Sequence, residues 1–220
     1  MKVLKKVSSS LVLATMLMGG GNLFALSEGN EYITLSTPIP NAQNSVYEVW
    51  SYRCTHCYSH HKAKTMEKIQ AAFPDVKVGY LLVKTMGDYG KQAAEVLAYA
   101  QNEDEKAGRK VADAHSLHHK VSDAYFSAYF KKNQRWGNGA EPDKFYETGL
   151  KALGIDKAKL DEFLATPKAQ EIIASYEIAD PISKNFGTPG FVVNGKYEVN
   201  ISKIGSPEAL VEVIKELLSM

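Results

Sequence analysis

The feature that most constrains the fold is a pair of cysteines, Cys54 and Cys57, placed where a strand pattern changes to a helical one. Residues 46–50 are rich in β-branched and aromatic side chains, which favour strands. After Cys57 the apolar residues recur at helical spacing until Pro74, and residues 76–83 again have a strand pattern. This order predicts a βαβ unit with both cysteines at the start of its helix.

The rest of the chain predicts an α/β class in which helices interrupt a small sheet domain. From about residue 87 to 177 the apolar periodicity is helical and no strand pattern occurs. We therefore predict a discontinuous α/β domain formed by residues 26–86 and 178–220, with an inserted all-helical subdomain over 87–177.

Individual elements can be placed within this outline. The dipeptide Asn194-Gly195 between two apolar runs is the strongest short signal for a β-hairpin. Ser206-Pro207 is typical of the first residues of a helix, so a last helix should begin there. In the helical region, apolar stripes predict helices over 111–130, 142–153, 157–165 and 168–184.

The first 25 residues have the composition of a secretory signal peptide. Three lysines occur among the first six residues, residues 11–18 are mostly apolar, and Ala25 suits a cleavage site. The apolar run is shorter than the roughly 20 residues that span a bilayer. We expect export of the chain, with cleavage near Ala25. The net charge of +1 gives no reason to expect a nucleic-acid partner.

Export makes the cysteine count informative, because exported domains stapled by disulfides usually have more cysteines, spaced further apart. Cys54 and Cys57 are the only two, and a bridge over so short a loop constrains the unfolded chain little. We therefore expect redox chemistry. Free backbone N–H groups and the dipole at a helix start stabilise a thiolate on Cys54, and His56 adds a donor. A stabilised thiolate favours the reduced pair, so the disulfide becomes a strong oxidant.

Cys54 is then the exposed partner that joins the substrate, and Cys57, one turn inward, resolves the mixed disulfide. Glu48 lies in the strand before the cysteines. A buried Glu48 could accept the proton of the resolving thiol, whereas an alternating strand would place it in water, and the pattern leaves both open. A cis bond at Thr188–Pro189 would turn the Thr188 backbone outward to pair with an extended peptide, and a trans turn is the alternative.

Metal binding is the other use that these residue types allow. A structural zinc site commonly takes two cysteine pairs, and the chain has one. His60 and His61 could complete a site beside that pair. His115, His118 and His119 share helical spacing, but no carboxylate-rich setting singles them out. We predict no metal and no cofactor other than the redox-active disulfide.

Two segments together resemble the DsbA family of periplasmic thiol–disulfide oxidoreductases. They are residues 48–58, which contain the cysteine motif, and residues 187–197, which begin Gly-Thr-Pro-Gly. The resemblance implies a thioredoxin fold interrupted by an inserted all-helical subdomain. It also implies a buried acid at position 48 and a cis-proline loop at 188–189. The resemblance marks Cys54 as nucleophile and Cys57 as resolving cysteine. Together with the reasoning from the residues, we predict Cys54, Cys57, His56 and Glu48 as catalytic residues and Thr55, Thr188 and Pro189 as substrate-binding residues.

The resemblance further implies a periplasmic protein that oxidises cysteine pairs of exported proteins and is reoxidised by a DsbB-like quinone-linked membrane oxidase. Familiar members have Pro in place of Thr55 and Val in place of Thr188, and residues 131–139 look like an extension. Some variant members serve one client, such as an arylsulfate sulfotransferase. About 20 residues separate the predicted cleavage point from the strand at residue 46, too few for the extra domain of dimeric isomerases, so we expect a monomer. The alternatives are an isomerase or reductase of the same fold, a copper or zinc carrier, and a peptide-binding chaperone.

Overall fold

The computed structural model describes residues 26–220. The predicted signal peptide, residues 1–25, lies outside the described residues. Among the helices of residues 26–220, none combines the length and the apolar character that a membrane span requires.

A five-stranded mixed sheet forms the centre of the fold, with the strand order β1-β5-β4-β2-β3. β2 pairs in parallel with β3 and antiparallel with β4, while β5 pairs antiparallel with both β4 and β1. The strands are β1 (Tyr32–Thr34), β2 (Ser45–Trp50), β3 (Lys77–Leu82), β4 (Gly190–Val193) and β5 (Tyr197–Val199). The predicted βαβ unit is confirmed, because β2 and β3 are parallel and the helices after the cysteines connect them.

Helices cover both faces of the sheet and form the region between β3 and β4. They are α1 (Thr55–Lys62), α2 (Thr65–Ala72), α3 (Gly90–Lys106), α4 (Leu117–Phe126), α5 (Pro142–Leu153), α6 (Lys157–Leu164), α7 (Pro167–Ser175), α8 (Ala179–Phe186) and α9 (Pro207–Leu218). A π-helical turn, Ser127–Lys131, continues α4.

Three predicted helices are divided or shortened. The helix after the cysteines is broken between α1 and α2, where Lys64 has a left-handed backbone with φ of 55°. The helix predicted over 168–184 is interrupted by a 3-10 turn at Tyr176–Ile178. The helix predicted over 111–130 begins only at Leu117. The buried Asp104 carboxylate accepts hydrogen bonds from the backbone N–H groups of Leu117 and His118, which fixes the start of the helix there.

Two local predictions are confirmed at the C-terminal end of the sheet. Asn194 and Gly195 both have positive φ, as a type I′ hairpin turn between β4 and β5 requires. Ser206 caps α9 by accepting the backbone N–H of Ala209 at 3.1 Å, and Pro207 occupies the first helical position.

The helical region and the sheet share a continuous hydrophobic core. Trp50 and Tyr52, at the end of β2, pack in the same cluster as Tyr125 and Phe126 of α4. A second cluster on the other face joins the strands to α2 and α9. The predicted boundaries near residues 86 and 177 stay a prediction, since no break in the packing marks them. The segment after β2, which contains the two cysteines, therefore lies between buried layers.

Candidate active site

Cys54 and Cys57 form a disulfide at the N-terminus of α1. Cys54 is the N-cap residue, and its Sγ atom accepts the backbone N–H of Cys57 at 2.9 Å. The predicted position of the pair at a helix start is therefore confirmed. An amide donor that already contacts Cys54 Sγ will also stabilise a thiolate there once the disulfide is reduced.

The prediction that Cys54 is exposed is wrong for the oxidised pair. Its exposed fraction is 3%, close to the 1% of Cys57. The carbonyl oxygen of Thr188 lies 3.4 Å from Cys54 Sγ and covers that side of the sulfur. The neighbours Thr55 and His56 are exposed at the rim of the site.

The loop that contains Thr188 and Pro189 connects α8 to β4 and packs against the disulfide. The peptide bond between these two residues is cis. The hydroxyl of Thr188 lies 3.5 Å from the sulfur of Met86, which joins this loop to the segment after β3. The structure thus brings the residues at 188 and 189 to the cysteines, although 131 positions separate Cys57 from Thr188 in the chain.

A groove of about 580 Å³ lies beside the redox pair. The exposed side chain of His56 lines it on one side, and Thr188 and Pro189 line it on another. Its floor is mainly apolar, with Phe186, Ile201, Ile204 and Leu210 contributing. A groove with an apolar floor and a backbone carbonyl at its edge can accept an extended peptide next to the disulfide.

Glu48 is buried, with an exposed fraction of 5%. Burial, followed by the nearby negative charge of Glu67, raises the pKa of Glu48 from 4.5 to about 8. Its carboxyl group is therefore mostly protonated at neutral pH. Glu48 and Cys57 line the same small cavity, whose volume of about 10 Å³ is close to the room that one water molecule needs.

Tyr80 lies next to Glu48 in the sheet, and Tyr80 and its stacking partner His118 remain uncharged. Tyr80 is the β3 partner of Glu48 in the sheet register, and the His118 ring stacks on it at 4.4 Å between centroids. Burial raises the pKa of Tyr80 well above its usual value. Burial also lowers the pKa of His118 to about 3, with smaller effects from His119 and His61.

The other histidines do not form a metal centre. Across residues 26–220, no group of three or more His, Cys, Asp or Glu side chains is arranged to hold a metal ion. His61 instead stacks on His119 at 4.6 Å and approaches Asp123 at 3.3 Å. His119 Nδ1 lies 3.5 Å from Glu67 Oε1. His115 is exposed.

Sequence reasoning missed Glu67 as a site residue and gave His119 only a metal-binding interpretation. Glu67 lies on α2 and His119 on α4, and no local pattern indicates that these helices meet behind the cysteines. The only available signal was the density of histidines at 60–61 and 118–119, which does not by itself indicate a shared cavity.

Comparison with known proteins agrees with this geometry. A family model described as DSBA-like thioredoxin domain matches residues 45–215, which include both cysteines and the cis-proline loop. The thiol:disulfide interchange protein DsbL of Escherichia coli O6:H1 is 38% identical over 195 residues, covering 89% of this chain and 88% of the relative. DsbL of Lelliottia amnigena is 33% identical over 216 residues, covering 98% and 97%.

Solved structures give the same result. The crystal structure of reduced DsbL superimposes with a TM-score of 0.84 at 37% identity, covering 89% of this chain and all of the other. Proteus mirabilis DsbA with a non-covalently bound peptide superimposes with a TM-score of 0.66 at 21% identity, covering 89% and 99%, and shows the shared fold.

Proposed function

The chain belongs to the family of DSBA-like thioredoxin domains and is a thiol:disulfide oxidoreductase, and from this premise we propose that it donates its disulfide to exported proteins. One observation carries the direction of transfer. The backbone N–H of Cys57 at the start of α1 points at Cys54 Sγ. Because this donor stabilises a thiolate more than a disulfide sulfur, it favours the reduced enzyme and makes the oxidised enzyme a strong oxidant.

The reaction proceeds in two displacements. A substrate thiolate attacks Cys54 Sγ, the bond between the two cysteines breaks, and its electron pair passes to Cys57 Sγ. A second substrate thiolate then attacks the substrate sulfur of the mixed disulfide, and Cys54 leaves as a thiolate held by the amide donor. Two substrate thiols become one disulfide, and the enzyme pair becomes reduced. Cys54 is the nucleophile in the reverse direction and Cys57 the resolving thiol.

Glu48 exchanges a proton with Cys57 in this scheme. Both residues line the cavity behind α1, and a pKa of about 8 lets the carboxyl group give or take a proton near neutral pH. Cys57 is therefore protonated as it leaves Cys54 and deprotonated when it attacks again. His56, exposed beside Cys54, adds a donor near the sulfur on the solvent side.

The groove beside the disulfide is the proposed substrate site. An extended peptide in it would pair with the backbone of Thr188, whose carbonyl lies at Cys54 Sγ, while Pro189 lines the groove and Thr55 is exposed next to Cys54. The Proteus mirabilis relative is described with a non-covalently bound peptide, which supports a peptide ligand for this fold.

The cellular setting completes the proposal. We place the protein in the periplasm as a monomer, exported by residues 1–25 and reoxidised by a DsbB-like quinone-linked membrane oxidase. We also propose a restricted client range, such as a dedicated arylsulfate sulfotransferase, because Thr188 replaces the Val of familiar family members in the loop whose carbonyl contacts Cys54 Sγ.

The reduction potential of the Cys54–Cys57 pair tests the direction. The mature protein is equilibrated in glutathione redox buffers, and we expect a value near the strong-oxidant end of the scale, about −120 mV. The matched controls are Cys54→Ser and Cys57→Ser, each of which should abolish oxidation of a reduced protein substrate. A value near about −270 mV would overturn the donor assignment and favour a reductase.

A further inference from the structure

The cavity behind Cys57 is walled by titratable side chains from five different elements. They are Glu48 of β2, Cys57, His60 and His61 of α1, Glu67 of α2, Tyr80 of β3 and His119 of α4. The buried end of the cavity holds the redox sulfur and the Glu48 carboxyl. At the other end, the side chains of Glu67 and His119 are each 20% exposed. The cavity therefore connects a closed reaction centre to the protein surface.

Glu67 lines this cavity together with Glu48 and His119. Its Oε1 atom is buried and has no hydrogen-bond partner, although Nδ1 of His119 lies 3.5 Å away. An unpartnered buried carboxylate oxygen is costly unless a water molecule or a mobile proton satisfies it. Glu67 also acts on Glu48 through space, because its charge contributes to the raised pKa of that residue.

We propose that Glu67 and His119 form a proton relay between the Glu48–Cys57 cavity and solvent. The relay rests on the proposed function, in which Glu48 exchanges a proton with Cys57. Since the cavity has room for about one water molecule, a single water can bridge the Glu48 and Glu67 carboxyl groups. His119 then passes the proton between Glu67 and the surface.

The proton balance follows the disulfide chemistry. When the enzyme disulfide is reduced, Cys57 leaves as a thiolate and takes the proton of Glu48, and the Glu48 carboxylate is reprotonated from solvent through His119 and Glu67. Before Cys57 attacks a mixed disulfide on Cys54, the Glu48 proton leaves through Glu67 and His119, and the Glu48 carboxylate then takes the thiol proton of Cys57. The electrons move only between sulfur atoms.

The other titratable groups around the cavity have different roles. Burial lowers the pKa of His61, and the neighbouring His119 lowers it further, with a small contribution from Lys131. The contact between His61 and Asp123 acts in the opposite direction. Burial, with His56 next, likewise lowers the pKa of His60. His61 supports His119 by stacking on its ring. Tyr80 and His118 stay neutral because of burial and do not change their protonation state near neutral pH.

The reaction of the reduced enzyme with excess oxidised glutathione tests the relay. Attack by Cys54 is a second-order step, whereas the following attack by Cys57 on the mixed disulfide is first-order and needs the proton of Cys57 removed. We expect Glu67→Gln and His119→Gln to slow the first-order step about tenfold and to leave the second-order step unchanged. The matched control is His115→Gln, which replaces an exposed histidine outside the cavity.

Two further measurements separate a relay from a structural role. A small diffusible base such as imidazole, titrated at constant pH, should restore the first-order rate of His119→Gln and leave that of the parent enzyme unaffected. The reduction potential of His119→Gln should equal that of the parent, because a relay changes forward and reverse rates equally.

The relay is overturned if both variants keep the parent first-order rate while Glu48→Gln loses it, or if imidazole restores nothing. Neither result affects the proposed function, which would fail instead through a low reduction potential of the parent enzyme. A potential that shifts together with the rate in His119→Gln would assign this residue a structural role and also overturn the relay.

Discussion

Replacing Glu48 with Gln should stabilise the oxidised protein, and the gain should grow with pH. The folded protein raises the pKa of Glu48 from 4.5 to about 8, mainly by burial. A raised carboxyl pKa means that the folded state binds the proton more tightly than the unfolded state. Stability from this group is therefore fully present below pH 4.5 and is lost as pH rises towards 8. Gln has nearly the same shape and no charge to bury.

The size of the effect follows from the pKa difference, at roughly 1.4 kcal/mol per unit. At pH 5 the buried carboxyl costs about 1 kcal/mol, and at pH 7 about 3 kcal/mol. At pH 9, above the folded pKa, the cost approaches about 5 kcal/mol. The advantage of Glu48→Gln over the parent should consequently increase by about 4 kcal/mol between pH 5 and pH 9.

The measurement is urea unfolding of both oxidised proteins at a series of pH values. The disulfide removes cysteine titration from the comparison, and groups such as Glu198, whose pKa burial raises to about 7, are common to both proteins and cancel. The matched control Glu212→Gln replaces an exposed carboxylate on α9 and should give a curve parallel to the parent. Parallel curves for Glu48→Gln would refute the reasoning, since they would mean that Glu48 ionises in the fold without cost.

Two further predictions concern the packing behind the site. Burial lowers the pKa of His118 to about 3, so its stability contribution is present above pH 6.5 and is lost below it. Between pH 7 and pH 4, the free energy of unfolding of His118→Phe should therefore fall by about 3 kcal/mol less than that of the parent. Urea unfolding at both pH values measures this difference, and an equal fall in the two proteins would contradict the prediction. Gly149→Ala would place a methyl group against the Tyr125 hydroxyl and 2.8 Å from Val96 Cγ1. It should cost about 1–3 kcal/mol, whereas Gly205→Ala, which meets nothing within 4 Å, should be nearly neutral.

Local patterns were sufficient for the elements that carry the cysteines and the hairpin. The strand before Cys54, the helix start at the cysteines and the Asn194-Gly195 turn are each specified by a few adjacent residues. The break at Lys64 was not predictable in this way. Lysine is ordinary inside helices, and its left-handed backbone follows from how α1 and α2 pack separately against the core.

The burial of Glu48 could not be decided by pattern, because β2 is buried on both faces and has no polar–apolar alternation to reveal an inward carboxylate. The resemblance to a family favoured the buried interpretation, and the structure confirms it. Glu67 and His119 belong to different helices and lie 52 positions apart in the chain. Their meeting depends on tertiary packing, so only a three-dimensional structure could bring them together.

The helical insertion is part of the redox site. α4 contributes His119 and Phe126 to the wall of the cavity that contains Cys57 and Glu48. Phe126 also packs on Trp50 at 5.3 Å and on Tyr58 at 5.5 Å, which closes the back of α1. Without this helix, Glu48 would meet water and lose the burial that raises its pKa. The groove proposed to bind substrate is lined by α1, α8, α9 and the cis-proline loop, whereas the cavity proposed to carry the proton includes α4.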